Sequence, residues 1–156
     1  MRPLRAGDAE AVIRVDRVST GTEKAGFWRG MIAAHLEGQG EAPGGDEAAP
    51  APTEILSPRF FQVADDAGRV VGFAVGDVQA WQFGIPRCGR IVALAVDPEH
   101  RRHGVGAALA GSLVQVFRDL RVPLVQCLVR PGDPLEALFG SVGFGATDWR
   151  ILELRP

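Results

Sequence analysis

Residues 92–109 read VALAVDPEHRRHGVGAAL, which is an apolar run, then a short basic turn, then the glycine-bounded start of a helix. In such a strand–turn–helix unit the turn amides and the first helical N–H groups have no backbone partners and converge on one point. Together with the helix dipole, these groups favour an anion at that point. The segment therefore predicts a phosphate-binding cradle between a buried strand and a helix.

The spacing within this segment argues against the two commonest phosphate-binding loops. A P-loop needs Lys and then Ser or Thr directly after its last glycine, whereas Ala107 and Ala108 follow Gly106. A dinucleotide-binding loop needs a third glycine or alanine where Leu109 stands, and an acidic residue at a strand end about 20 residues later, which the sequence does not provide. Nucleoside triphosphates and nicotinamide or flavin dinucleotides are therefore disfavoured as ligands.

The pattern that fits is Gln/Arg-x-x-Gly-x-Gly/Ala, which Arg101–Gly106 matches directly after the apolar strand. In this motif and its context the chain resembles the GNAT superfamily of acyl-CoA-dependent N-acyltransferases. The resemblance implies that the loop holds the pyrophosphate of coenzyme A and that the preceding strand holds pantetheine through its backbone. The alternative is a helix start that glycines cap without any ligand. The cofactor-binding residues assigned in this way are Leu94, Ala95, Val96, Arg101, Arg102, His103, Gly104, Val105, Gly106, Ala107 and Phe139.

Hydrophobic periodicity and turn residues extend the resemblance over nearly the whole chain. They predict strands at Arg2–Arg5, Phe60–Ala64, Arg69–Val78, Cys88–Val96, Leu124–Val129 and Trp149–Leu154. They predict one helix with Asp8 as its N-cap and three more at Thr22–Leu36, Gly104–Leu120 and Pro134–Ser141. The fold class is therefore α/β (α+β), a GNAT-like mixed and mostly antiparallel sheet with helices on both faces. The resemblance also implies a splayed parallel strand pair, formed by Ile91–Val96 and Leu124–Val129.

Three segments carry further expectations about packing. Ile91–Val96 is apolar at every position, which predicts a central strand covered on both faces. The loop Trp81–Pro86 contains two aromatic residues, and it walls the acceptor pocket, forms a subunit contact or packs locally over the sheet. Helical spacing in the second helix predicts core packing for Phe27, Trp28, Met31, Ile32 and Leu36. The alternative is that these side chains form a wall of the acceptor site.

Length and composition predict a single soluble domain over residues 1–156, with 46% hydrophobic and 23% charged residues. Residues 37–58 are rich in Gly, Pro, Ala and acidic residues, which predicts a mobile surface insertion. The sequence shows no run long enough to span a bilayer and no signal-like start, so we expect a cytoplasmic protein without a membrane partner. The net charge of −2 argues against nucleic acid as a partner.

The two cysteines, Cys88 and Cys127, match no metal-ligand spacing and are too few for a disulfide scaffold. We therefore expect reduced thiols and no metal ion. An acyl-accepting thiol is one interpretation of Cys127, but a small buried apolar side chain is favoured because nothing nearby in sequence would lower the thiol pKa. Glu99 and His100 are assigned to the pyrophosphate turn and not to acid–base chemistry, because that turn lies a pantetheine's length from the thioester.

The two acid–base groups that the family resemblance leads us to expect are missing. Gly143-Phe144 resembles the Gly-Phe that closes the family's last helix, and the position four residues earlier, where many members carry tyrosine, holds Phe139. The chain contains no tyrosine. A frequent glutamate early in the strand before the loop is also absent from Arg90-Ile91-Val92. The remaining catalytic candidates are Asp77 and Asp133. The structural alternative is a solvated strand end for Asp77 and a helix N-cap for Asp133.

We expect an N-acetyltransferase that moves an acetyl group from acetyl-CoA to a primary amine of a small molecule or peptide. The amine attacks the thioester directly, and a backbone N–H near Val96 meets the developing oxyanion, so no covalent enzyme intermediate is needed. The alternatives are a non-catalytic acyl-CoA-binding module or partner-dependent subunit with the same fold, and transfer of a different acyl group. The resemblance allows a homodimer. The acceptor depends on the shape of its pocket, which these motifs do not determine.

Overall fold

The computed structural model describes residues 1–38, 59–79, 84, 87–148 and 150–155. Most of the predicted Trp81–Pro86 loop, Trp149 and residues 39–58 of the predicted insertion lie outside this described part. Glu37 and Gly38 still belong to the second helix, so the start predicted for the insertion shifts past Gly38.

The described residues form five strands and four α-helices. The strands are β1 (Arg2–Pro3), β2 (Arg59–Asp66), β3 (Arg69–Gln79), β4 (Cys88–Val96) and β5 (Val125–Cys127). The helices are α1 (Ala9–Thr20), α2 (Ala25–Gly38), α3 (Val105–Asp119) and α4 (Pro134–Ser141). The sheet has the order β1-β2-β3-β4-β5, with antiparallel pairing except between β4 and β5, which are parallel. The predicted mixed, mostly antiparallel fold is confirmed.

The β2–β3 hairpin closes through a two-residue turn. Asp66 pairs with Arg69, and the residues between them, Ala67 and Gly68, have φ values of 49° and 86°. Positive φ at both central positions gives the turn a twist that matches the twist of the flanking strands. The carboxylate of Asp65 accepts a hydrogen bond of 2.7 Å from the Gly68 N–H, which fixes the predicted turn.

Two hydrophobic cores cover the two faces of the sheet, as the sequence predicted. On one face, α1 and α2 pack on the sheet around Trp28, whose ring centroid lies 4.9 Å from that of Phe73. On the other face, α3 and α4 pack around Leu109, Leu113 and Phe117, all with 0% exposure. Each element therefore buries one apolar face, which is the main stabilising contribution to such a layered fold.

The parallel pairing between β4 and β5 is short. It covers Gly89–Ile91 opposite Val125–Cys127, so residues 92–96 of β4 have no β5 partner. Val92 is an extra residue in β4, because Val75 pairs with Ala93 and Gly76 already pairs with Ile91. A bulged residue of this kind leaves the regular alternation of faces. Val92 is consequently 41% exposed, and the prediction that the whole strand is covered on both faces is wrong at this position.

The C-terminal part differs from the prediction. β5 has three residues instead of the predicted Leu124–Val129, and residues 150–155 contain no strand. No backbone hydrogen bond joins residues 150–155 to other described residues. An apolar run becomes a strand only where a neighbouring strand pairs with it, and such a partner is missing here. The apolar side chains left exposed by 59–92% are Ile151, Leu152 and Leu154.

Two predictions at the N-terminal end also need correction. Asp8 precedes α1, but its carboxylate accepts a 2.7 Å bond from the Arg5 N–H and two bonds from Arg2 instead of capping α1. The reason is the 3-10 turn Ala6–Asp8, which begins the helical path one turn earlier. Phe27 is 55% exposed, so core packing fails for this member of the predicted apolar face. Among the described residues, no helix has both the length and the apolar character required to cross a membrane.

Candidate active site

The edge of β4 beyond Ile91 is open towards β5. The Asp97 N–H donates to the Val71 carbonyl of β3. Because the backbone groups of successive strand residues point in opposite directions, those of Val96 and Leu94 point to the open edge. The backbone groups of Ala95 point to β3, where Ala95 pairs with Phe73. A ligand at the open edge can therefore bond to the main chain of Leu94 and Val96. Ala95 does not face that edge and contributes by pairing with β3.

One of these backbone groups is already occupied. The Val96 carbonyl accepts a 3.1 Å bond from Ser19 Oγ of α1 and a 3.1 Å bond from Arg101 Nε. A ligand along the open edge would therefore meet the Val96 N–H and not its carbonyl. The same two bonds hold the end of α1 and the start of the basic loop against β4.

A buried ion-pair cluster fixes the turn that leaves β4. Asp97 is 4% exposed, and its carboxylate accepts a 2.7 Å bond from Arg14 Nη1 and a 3.3 Å bond from Arg69 Nη2. The hydrogen bond from Arg14 holds the pKa of the Asp97 carboxyl below its usual value. The other carboxylate oxygen accepts from the Glu99 N–H and so begins the turn Pro98–His100. Asp97 thereby couples the sheet to the basic loop.

The basic loop ends in an open helix N-terminus. Gly104 is the N-cap of α3 with φ 78°, and no side chain bonds to the first turn of the helix. The first helical hydrogen bond runs from the Ala108 N–H to the Gly104 carbonyl. The N–H groups of Val105, Gly106 and Ala107 therefore precede the regular bonds of the helix and can bind an anion. Three basic side chains lie exposed beside this cradle, those of Arg101, Arg102 and His103.

Gly106 has a packing role that the motif alone did not reveal. A Cβ at this position would lie 2.5 Å from Cδ1 of Leu138 in α4. The second glycine of the motif therefore permits α3 and α4 to approach each other behind the cradle. At Gly104, by contrast, a Cβ would meet no atom within 4 Å, so the requirement for glycine there comes from the positive φ.

The two predicted catalytic carboxylates both have structural partners. Asp133 is the N-cap of α4, and its side chain accepts a 2.8 Å bond from the Leu135 N–H. Asp77 is buried in β3 and accepts two bonds from Arg90 of β4, of 3.2 Å to Nε and 2.9 Å to Nη2. Asp133 thus has the role of helix N-cap, which was its structural alternative. Asp77 is a buried ion-pair partner and not a solvated strand end.

Phe139, which stands where the family pattern has tyrosine, lies in the core between α3 and α4. It is 4% exposed, and its ring centroid lies 5.2 Å from that of Phe144. The Phe144 N–H donates a hydrogen bond to the Phe139 carbonyl, and Gly143 has φ 97°, as expected for the end of a helix. Position 139 therefore supplies packing, and its side chain can donate no proton.

Neither the cysteine thiols nor the acidic side chains near the loop are arranged as reactive groups among the described residues. Burial raises the pKa of both Cys88 and Cys127, which keeps the thiols protonated and favours the interpretation of Cys127 as a small apolar side chain. Among the described residues, Asp97, Glu99 and His100 place potential metal-ligand atoms within 4.8 Å of one another. Asp97 already accepts from two arginines there, so these residues form an ion-pair cluster.

Sequence reasoning missed two polar features on the face of the sheet that α1 and α2 cover. Arg59, Asp77, Arg90 and Gln126 are successive register partners across β2, β3, β4 and β5. Asp16 of α1 is 4% exposed, with Oδ1 at 3.0 Å from Lys24 Nζ and Oδ2 without a hydrogen-bond partner in the structure. Asp77 and Arg90 are charged residues within otherwise apolar stretches of β3 and β4, which hints at the first feature. The sequence of either strand alone does not determine the register that aligns these residues.

The open β4 edge and the adjacent N–H cradle are the two features that the resemblance to the GNAT superfamily led us to expect. Residues 30–144 match the model of the acetyltransferase (GNAT) family. The chain therefore belongs to the acetyltransferase (GNAT) family, as the motif around Arg101–Gly106 predicted.

One similar protein is a mycothiol acetyltransferase of Pseudarthrobacter chlorophenolicus, 29% identical over 121 residues. The alignment covers 76% of this chain but 38% of that protein, so the chain spans less than two fifths of this relative.

Similar solved structures include aminoglycoside N-acetyltransferase AAC(6')-Iy in complex with CoA, with a TM-score of 0.76 and 13% identity, covering 99% of this chain and 92% of that one. The ribosomal-protein-alanine N-acetyltransferase of Brucella melitensis biovar Abortus 2308 aligns with a TM-score of 0.68 and 17% identity, covering 99% and 97%. At these identities the likeness concerns the fold.

Proposed function

We propose that this chain transfers an acetyl group from acetyl-CoA to a primary amine by direct attack of the amine on the thioester. The observation that carries the proposal is the continuity of two binding elements: the unpaired edge of β4 at Leu94 and Val96, and the N–H cradle at Val105–Ala107. Coenzyme A has the matching parts in the same order, because its amide-containing pantetheine arm leads to a pyrophosphate.

The cofactor-binding set predicted from the sequence is divided between these two elements. Pantetheine amides would pair with the main chain of Leu94 and with the Val96 N–H, as an added strand pairs with a sheet edge. The pyrophosphate would accept from the N–H groups at the start of α3, and the basic side chains of the loop would balance its charge. Ala95 and Phe139 would support this site by packing, since both are largely buried.

The reaction balances without a covalent enzyme intermediate. The neutral amine nitrogen attacks the thioester carbonyl carbon, and the resulting oxyanion accepts from a backbone N–H of the open edge. The C–S bond then breaks, the amide forms, and coenzyme A leaves as a thiolate while the nitrogen loses its proton. A thiol has a reference pKa of about 8.5, so this leaving group departs without the tyrosine that the chain lacks. That proton passes to the departing thiolate, directly or through water, because Arg90 already engages the Asp77 carboxylate and the start of α4 engages that of Asp133.

The acceptor is a primary amine on a small molecule or a peptide. The names of the similar proteins already include a mycothiol, an aminoglycoside and a ribosomal-protein-alanine acetyltransferase, so the fold serves acceptors of several sizes. The single domain with an insertion, the cytoplasmic location and a homodimer stay predictions from the sequence and the resemblance.

The experiment is a titration of purified protein with CoA and acetyl-CoA by calorimetry, followed by thiol release from acetyl-CoA with a panel of primary amines. Arg101→Ala should weaken cofactor binding about tenfold, because it removes a charge near the pyrophosphate and the bond to Val96. Arg118→Ala, which removes an exposed arginine from the other end of α3, is the matched control and should bind like the parent.

The second candidate function is a non-catalytic acyl-CoA-binding module. It is favoured by the structural partners of Asp77 and Asp133 and by the absence of a hydroxyl at position 139. Cofactor binding without amine-dependent thiol release would support this module. Absence of cofactor binding would overturn both functions.

A further inference from the structure

We propose that the amine acceptor carries a carboxylate, and that Arg90, held in position by Asp77, binds it. This inference rests on the proposed function, because it assigns the substrate class of the same site. It starts from the polar row across the sheet, defined as Arg59, Asp77, Arg90 and Gln126 in successive register.

The polar row lies on the face that α1 and α2 cover. The neighbouring pair on the same face is Val75 with Ala93, two steps along the register, and it belongs to the hydrophobic core under these helices. Asp77 stands two residues beyond Val75 in β3 and therefore points to the same face. The polar row thus lies on the same face of the sheet as this apolar core, just beyond the end of the core.

The polar row also lies beside the opening between β4 and β5. Arg90 pairs with Gln126, and the next pair, Ile91 with Cys127, is the last one before the strands separate. The open edge proposed for pantetheine begins just beyond that pair. An acceptor whose amine reaches the thioester in this opening can therefore place a second group on Arg90.

The geometry of Arg90 leaves one edge of its guanidinium for a ligand. Asp77 accepts from Nε and Nη2, whereas Nη1 makes no bond to Asp77. The Arg90 side chain is 44% exposed and that of Asp77 is 8% exposed. A bidentate bond to a buried carboxylate fixes the plane of the guanidinium, so little conformational freedom is lost when a second carboxylate binds.

The charges of the polar row favour an anion over a cation. Arg59 and Arg90 flank a single carboxylate, Asp77, in neighbouring register positions. The row therefore has one positive charge in excess, next to the opening. A carboxylate on the acceptor compensates that charge, whereas a polycationic acceptor meets repulsion there.

The test compares acceptors that differ only in the carboxylate. Thiol release is measured with α-amino acids and dipeptides, with their C-terminal carboxamides, and with a linear polyamine. We expect the parent protein to use the acids with a KM about tenfold lower than that of the matched amides, and to use the polyamine least. Equal KM values for acid and amide, or a preference for the polyamine, would overturn the inference.

Three variants separate recognition from folding and from catalysis. Arg90→Gln should raise the KM for acids to that of the amides while the KM for amides and the affinity for CoA stay unchanged. Asp77→Asn should raise the KM for acids with little change in kcat, because Asp77 is a positioning residue in this arrangement. Arg29→Ala, which removes an exposed arginine of α2, is the matched control. An equal loss with acids and amides in Arg90→Gln would assign Arg90 a merely structural role.

The failure of this inference is distinguishable from failure of the proposed function. If acetyl-CoA does not bind, the proposed function fails. If CoA binds but no amine is acetylated, calorimetric titration of the CoA complex with matched acids and amides still tests the site. Preference for the acid that Arg90→Gln abolishes supports the inference, and the lack of a preference overturns it.

Discussion

Gly106 of α3 and Leu138 of α4 are in such close apposition that a Cβ on Gly106 would lie 2.5 Å from the leucine Cδ1. Because Cδ1 is the end of a flexible and only partly buried side chain, we predict that Gly106→Ala lowers the free energy of unfolding by about 1 kcal/mol, the lower end of overpacking costs. The effect should appear as a lower midpoint in urea denaturation.

A double-variant cycle tests the cause. Leu138→Ala alone should cost about 1–2 kcal/mol, less than the loss of a fully buried leucine, because Leu138 is only partly buried. Combined with Gly106→Ala, it should cost less than the sum of the two, because the added methyl group enters the space that the leucine vacates. If the two losses are additive, or if Gly106→Ala weakens cofactor binding without changing stability, the glycine serves the ligand and not the packing.

Gly104 is required for a different reason, namely its φ of 78°. Gly104→Ala should cost about 1–2 kcal/mol of stability through left-handed backbone strain. It should also weaken CoA binding, because the strain is relieved by moving the N–H cradle. Urea denaturation and calorimetry measure the two effects.

The matched control is Gly111→Ala in the same helix. A Cβ on Gly111 meets no atom within 4 Å, and the residue lies inside α3. This variant should gain about 0.4–1 kcal/mol of stability and bind CoA normally. A similar loss in both variants would contradict the role given to the left-handed conformation.

The elements that sequence patterns predicted best are those with local signals. β4 has the predicted bounds Cys88–Val96, because its apolar run Ile91–Val96 favours burial within the sheet. α4 has the predicted bounds Pro134–Ser141, because Asp133 and Pro134 begin it and Gly143 follows its end. Capping and turn chemistry act within a few residues, so a sequence read in short windows contains them.

The features that sequence patterns missed depend on contacts between distant segments. The polar row needs the register of four strands, and the bulge at Val92 shifts that register by one residue. The predicted final strand fails because the pairing of β5 ends at Cys127. The cradle was therefore predictable from its sequence motif, while the polar row was not, since it is assembled by pairing across the sheet.

Asp97 should make stability depend on pH in the acid range. The Arg14 guanidinium lowers the pKa of this carboxyl from its ordinary value of 3.8, so the unfolded chain binds its proton more readily than the native chain does. The stabilisation is therefore complete above about pH 3.8 and is lost as the pH falls through the lowered native pKa. Asp97→Asn should remove this contribution and lower stability at pH 7 by about 2 kcal/mol.

Urea midpoints between pH 3 and pH 7 measure this effect. The difference between the parent and Asp97→Asn should shrink towards pH 3. Asp119→Asn, which replaces an exposed carboxylate at the end of α3, is the matched control. Asp8 and Asp65 also have lowered pKa values because of Arg2, but they are present in all three proteins and cancel. A pH-independent difference for Asp97→Asn would refute the ion-pair origin.

Phe139 stands where the family resemblance predicts a tyrosine that protonates the departing thiolate. We predict that Phe139→Tyr increases the rate of amine-dependent thiol release about tenfold. This gain lies below the usual 10² to 10⁴ of general acid catalysis, because a thiol leaves readily. Since a tyrosine hydroxyl has a reference pKa of about 10, the gain should disappear at higher pH, as a rate profile between pH 6 and pH 11 would show.

The control for this gain is Phe144→Tyr, which adds the same hydroxyl to the neighbouring ring, 5.2 Å away between centroids. It should leave the rate unchanged. Because Phe139 is 4% exposed, a hydroxyl that fails to reach the coenzyme A sulfur would be buried without a partner and would cost about 1–3 kcal/mol of stability. Loss of stability in Phe139→Tyr without a faster reaction would therefore show that position 139 points into the core and not at the departing thiolate.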